Sequence, residues 1–161
     1  MRPVEAVDDE TELVRSLYPA LHRFAAVVCP PERDANDLVQ DALERALRKG
    51  PLVDLDAPLA YLRRSIVNLA ANERRGLGRL RRATPRLARA EVSTPSYPSD
   101  VAELLQLGPM ERAALWLSDI EGLPSATVAE ILGCQPEAAR ARTSRARKRL
   151  RALFDQEEIQ P

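Results

Sequence analysis

In 161 residues with 45% apolar and 30% charged side chains, the chain has the composition of a folded protein, with room for one ordinary domain or two small ones. Its 24 basic and 24 acidic residues cancel to a formal charge of zero, but they are segregated along the chain, so the balance does not exclude a polyanion partner. No apolar run approaches the about 20 residues that cross a bilayer, the N-terminus is acidic where a secretory leader is basic, and Cys29, Cys134 and His22 stand at no ligand spacing; no membrane insertion, metal, cofactor or disulfide is expected, and the location is expected to be cytoplasmic.

From about Glu10 to Val28, Leu13, Leu17, Leu21, Phe24 and Val28 recur at helical spacing, and Cys29-Pro30-Pro31 stops the helix. A second helix is expected from about Glu32 to Lys49. It buries Leu38, Val39, Ala42, Leu43, Ala46 and Leu47 and carries Asp37, Asp41, Glu44 and Arg48 on the opposite side. Gly50-Pro51 ends it, and the loop to Ala57 places Asp56 to cap the helix that opens at Pro58. That third helix, to Arg75 or beyond, has a core stripe of Leu59, Leu62, Ile66 and Leu69. A second stripe lines up Tyr61, Arg64, Asn68, Asn72 and Arg75. A ring that can stack, amides that can read base edges and cations suit a nucleic-acid surface, where the alternative is an ordinary solvated face.

Residues 83–99 hold three prolines and no apolar period, which predicts a linker. Beyond it, Asp100 and Glu103 have capping-box spacing, with Val101, Leu104 and Leu105 beginning a short helix. Another helix runs from Pro109 through Ile120 to Gly122. Pro124 then opens a helix of about eight residues ending at Leu132, Gly133 supplies a left-handed turn, and Pro136 opens a long helix to about Phe154. These are the dimensions of a helix-turn-helix. Ala129 sits at the helix crossing, and Ala139, Ala146 and Leu150 face inward. Residues 140–151 carry seven basic side chains and no acid. In such motifs the start of the second helix enters the major groove, so Glu137, Ala138, Arg140 and Ala141 are base-edge candidates and Arg145, Arg149 and Arg151 phosphate contacts, with Arg142 among the basic residues of that helix.

The fold class is therefore all-α. Two small helical domains, 10–82 and 100–155, are joined by a Pro-rich linker at 83–99, and the second is a helix-turn-helix domain. In this order and separation they resemble the RNA polymerase sigma factors of the sigma-70 family, extracytoplasmic-function (ECF) group. The resemblance rests on Asp34-Ala35-Asn36-Asp37-Leu38-Val39-Gln40-Asp41 and on Tyr61 to Ala70 in the first module. In the second it rests on Glu111-Arg112, Asp119 to Leu123, Val128 to Gly133 and Arg145-Ala146-Arg147. It implies that Asp37, Gln40, Asp41 and Glu44 dock on core RNA polymerase. It further implies that Tyr61, Arg64, Asn68, Asn72, Arg74 and Arg75, with loop 50–57, engage the melting minus-ten strand, where an extruded base can be captured. The helix from Pro136, including Glu137, Ala138, Arg140, Ala141, Arg142, Arg145 and Arg149, would read minus-35 duplex. Promoter DNA and an anti-sigma protein complete the implied partners. Three positions depart from the family pattern: Tyr61 stands where a tryptophan is usual, Pro124 replaces a capping serine, and Gln135-Pro136-Glu137-Ala138-Ala139 replaces the usual start of the recognition helix.

A stand-alone helix-turn-helix regulator would account equally well for residues 100–154 but would leave the first module idle. A metal-dependent nuclease using Asp37 and Asp41 would lack a third ligand or a phosphate loop.

Overall fold

The computed structural model describes residues 3–83 and 104–157, which form helices and turns without a strand. Helix α1 (Pro3–Val28) begins about two turns earlier than the apolar period suggests and carries Pro19 in its interior. Helix α2 (Ala35–Leu47) starts at an N-cap: the Asp34 carboxylate accepts from Asn36 N at 2.7 Å, satisfying a donor that the first turn leaves unpaired. The expected start at Glu32 gives way because the chain first turns at Pro30 and Pro31. One 3-10 turn (Leu52–Asp54) occupies the loop before helix α3 (Pro58–Ala83). Ala57, one residue beyond the expected Asp56, takes the cap position of α3, its carbonyl accepting from Tyr61 N at 3.0 Å.

Helix α4 (Pro109–Leu115) follows Gly108 and passes without a break into a π-helical turn, Trp116–Ile120, closed by Gly122 at φ 66°. Helix α5 (Ser125–Leu132) and helix α6 (Pro136–Glu157) meet at Gly133, whose φ of 67° is the left-handed turn the sequence predicts. The expected linker beyond residue 83 and the Asp100–Glu103 capping box lie outside the described residues.

The core is continuous. Leu21, Phe24, Val28, Leu38, Val39, Leu62 and Ile66 from α1–α3 join Ala113, Leu117, Val128, Ile131, Leu132 and Ala139 from α4–α6 in one buried cluster. A smaller cluster of Leu107, Leu115 and Ala146, with Leu104 and Leu150 against it, supports α6. Two arginines fasten the halves together. Arg112 is buried and donates from Nη2 to the carbonyls of Val28 at 3.0 Å and Cys29 at 3.4 Å, at the end of α1. Burial, together with nearby Arg74, pulls its guanidinium down to about 10. Arg63 of α3 donates to Glu121 Oε1 at 2.6 Å while lying over the Phe24 ring at 5.6 Å. The widened π-turn brings Trp116 Nε1 to the same Glu121 oxygen at 2.8 Å, so one carboxylate serves both halves.

Candidate polymerase and nucleic-acid interfaces

The four acidic or amide positions on α2 fall on the face opposite its buried Leu38, Val39, Ala42 and Ala46. Asp37, Gln40 and Glu44 are exposed, whereas Asp41 is half-buried. Arg33 holds Asp41 through Nη2 at 2.6 Å, reaches the Asp37 carbonyl with the same nitrogen at 3.2 Å, and pairs with Glu73 of α3 through Nη1. The acidic stripe is thus tied to the third helix by Arg33, which the sequence pattern places inside the second helix without a role and the structure places in the turn before it. Glu44 pairs along its own helix with Arg48, an exposed i,i+4 contact.

On α3 the candidate DNA residues separate into groups. Tyr61, Asn68 and Asn72 line one groove of about 440 Å³ with Ser65, Leu69 and, from the end of α2, Arg45, Arg48 and Lys49. These three cations were legible as a basic run just before Gly50, yet the amphipathic reading of α2 assigned Arg48 to its acidic side and left Arg45 and Lys49 without a role. Arg75 donates to the side-chain Oδ1 of Asn72 at the end of the same groove. Arg64 turns away. Its guanidinium lies over Gly133 in the helix-turn-helix, so close that a Cβ added there would sit 2.8 Å from Nη2. A hollow between Arg64, Tyr61, Glu130 and loop residues Leu55, Asp56 and Ala57 continues this contact. Arg74 faces a different cleft, between Gly108 and Arg112.

The start of α6 presents Glu137, Ala138, Arg140 and Ala141 to solvent while Ala139, Thr143 and Ala146 are buried beneath them. Arg140 pairs with Glu137 at 3.2 Å. Arg149 is engaged by Glu111 at 2.7 Å, and Arg147 pairs with Asp119. That bond, more than the proximity of the charge, holds the Asp119 carboxyl below the usual aspartate range and raises the Arg147 guanidinium. For Glu111, burial pushes upward, but the Gly108 N–H and Arg149 outweigh it and the carboxyl ends below its ordinary value. Arg145, Lys148 and Arg151 are exposed and Arg142 is half-buried, and none of the four forms an ion pair among the described residues.

Among the described residues no group of His, Cys, Asp or Glu could hold a metal ion, and no helix is long and apolar enough to cross a membrane. Cys29 is buried, its thiol pushed up to about 11 mainly by burial, and donates to the Arg33 carbonyl at 3.1 Å. Cys134 is half-buried.

The geometry is that of an acidic stripe on α2 beside two basic surfaces. Family comparison gives it an assignment. Residues 13–80 match the family described as sigma-70 region 2, and residues 101–150 match sigma-70, region 4. The chain is 31% identical over 154 residues to the ECF RNA polymerase sigma factor SigM of Mycobacterium tuberculosis, in strains H37Rv and Erdman, covering 89% of this chain and 76% of that protein. The chain belongs to the ECF RNA polymerase sigma factors. This sigma factor directs promoter-specific transcription initiation with core RNA polymerase and promoter DNA as its partners. The region 2 match accounts for the module that a stand-alone regulator leaves idle. Among solved structures, the sigma factor RpoE in complex with the anti-sigma factor NepR from Bartonella quintana superimposes with a TM-score of 0.70 at 25% identity, over 91% of this chain and 97% of that one. At that coverage the likeness extends over both helical halves.

Proposed function

We propose that this sigma factor divides its work among three surfaces on two modules, residues 10–82 and 100–155 joined through 83–99. The α2 stripe of Asp37, Gln40, Asp41 and Glu44 docks on core polymerase. The groove of Tyr61, Asn68, Asn72 and Arg75, with Arg45, Arg48 and Lys49 added from α2, takes the melting minus-ten strand, and Arg64 and Arg74 join it once they leave the second module. The exposed start of α6 reads minus-35 duplex through Glu137, Ala138, Arg140 and Ala141, while Arg142, Arg145 and Arg149 hold phosphates. The chain supplies recognition and no catalysis, and it works in the cytoplasm, where polymerase is found.

The observation that carries this reading is the separation of charge in space: an acidic face on α2, and cations gathered in the α3 groove and along α6. Clustered cations neutralise phosphates, while a carboxylate stripe repels DNA and suits a basic protein partner. The test is transcription by purified core polymerase on a pool of promoter fragments, comparing the parent with an Asp37→Ala, Asp41→Ala double variant. The variant is expected to lose polymerase binding and specific initiation while keeping its helical content. A variant that initiates as well as the parent would remove the docking role.

A second reading concerns control. The relative of known structure is held by an anti-sigma factor, and an anti-sigma protein that stabilises the packed arrangement would silence this chain too. Co-purification of a cellular protein with the intact chain, released when transcription is induced, is the expected result.

A further inference from the structure

The first helix does more than complete the core. Leu52–Asp54 is a single 3-10 turn, and the N–H groups that open such a turn have no partner within it. Both are met from a distant part of the chain: Glu10 Oε1 accepts from Leu52 N at 2.8 Å and Glu10 Oε2 from Val53 N at 3.4 Å. Within the turn, Asp54 N reaches the Pro51 carbonyl at 3.4 Å and Leu55 N the Leu52 carbonyl at 3.1 Å. The Leu52 side chain is fully buried, whereas Val53 and Asp54 are exposed. The turn is therefore anchored at one residue and presents the next two. Its acidic neighbours on α1, Asp8, Asp9 and Glu12, are exposed, whereas Glu10 is half-buried. A carboxylate beside a nucleic-acid surface is electrostatically unfavourable, and here both oxygens are occupied by backbone N–H groups. Backbone donors explain the position; solvation does not.

We propose that Glu10 is a positioning residue for minus-ten melting: by capping the turn from α1 it fixes how loop 50–57 presents Val53 and Asp54 to the separating strand. This rests on the reading that loop 50–57 meets that strand. Glu10 itself touches no nucleotide, and its effect passes through the backbone of Leu52 and Val53.

The experiment uses holoenzyme assembled from core polymerase with the parent, Glu10→Ala, Glu10→Gln, or a Val53→Ser, Asp54→Ser loop variant, on a promoter fragment selected by the parent holoenzyme. Permanganate reactivity reports melting, a duplex carrying only the minus-35 half reports α6, and hydrogen exchange at the Leu52 and Val53 amides of the free protein reports the cap. Loss of a cap predicts that Glu10→Ala exchanges faster and melts about fivefold less, with core affinity and minus-35 binding unchanged. Glu10→Gln, which keeps one carbonyl acceptor, restores most of both. Undiminished melting in Glu10→Ala while the loop variant fails would overturn the role of Glu10 alone. Undiminished melting in the loop variant would overturn the role of the loop and the proposal with it. A matching fall in core affinity would make Glu10 a support of the general fold, and the proposal would also be wrong.

Discussion

Arg63 and Glu121 are 58 positions apart, yet their side chains are only 7% and 25% exposed and meet at 2.6 Å. Removing one member of such a pair leaves the other charge poorly solvated, so Arg63→Ala is expected to cost about 3 kcal/mol in denaturant unfolding. The exchanged pair, Arg63→Glu with Glu121→Arg, should recover more stability than either single change predicts; strict additivity would mean that the two do not interact. Asp119 behaves differently because it titrates. Its bond to Arg147 lowers its folded-state pKa, so the stabilisation is present above the ordinary aspartate range and lost as pH falls through the folded value. The melting temperature of the parent should therefore drop more steeply on acidification than that of Asp119→Asn. A parallel drop would show that the bond contributes nothing in solution. Neither pair was legible from the sequence. Arg63 stands between Leu62 and Arg64 with nothing local to mark it as buried, because its acceptor comes from an element that periodicity cannot place beside it.

Elements were more legible where backbone chemistry is local. The helix-turn-helix rests on Gly133 and Pro136, which occupy the positions that their permissive or restricted backbone demands, while Pro124 sits one residue before the helix, at its N-cap, and Ser125 opens it. Gly133→Ala forces a Cβ into the left-handed region and toward the Arg64 guanidinium, which can swing aside. The expected cost is about 1–2 kcal/mol of stability, together with displacement of Arg64, both visible by denaturant unfolding and by chemical shifts on α3. No loss of stability would mean that the turn relaxes to another conformation. The apolar stripe of α3 was equally legible: Leu62 and Ile66 are fully buried and Leu69 nearly so. What patterning missed is the π-turn at Trp116–Ile120, since five apolar and polar residues in that order fit an α-helix equally well. Helix α2 shows a related limit. Its buried face holds the expected Leu38, Val39, Ala42 and Ala46, but Leu43 is only partly buried and Leu47, the last residue of the helix, is 44% exposed; the Arg45, Arg48 and Lys49 cluster gains meaning only when Tyr61 and Asn68 are packed opposite.

At the scale of the whole molecule, the continuous core sets a geometric problem. Elements named for positions about 25 base pairs apart lie about 85 Å apart along B-DNA, about twice the diameter of a packed chain of this size. On the proposed assignment of the two modules, both cannot reach their targets while Arg112 holds the end of α1 and Arg63 holds Glu121. Dyes on exposed positions Ser16 and Lys148 should transfer energy efficiently in the free protein and much less once core polymerase binds. Unchanged transfer on binding would mean that the packed form is itself the active one. The sequence anticipated two modules but not their shared core, because a helix face that packs on its own module and one that packs on the other have the same period. The packed form also covers its surfaces unequally. Arg64, though exposed, holds its guanidinium against Gly133 of the helix-turn-helix, while the start of α6 stays open. On the proposed roles an order in time follows, since duplex contact needs no rearrangement whereas the full strand contact needs Arg64 to leave Gly133. A fragment with a good minus-35 sequence and a ruined minus-ten would then act as a decoy, retaining the factor without ever yielding a transcript.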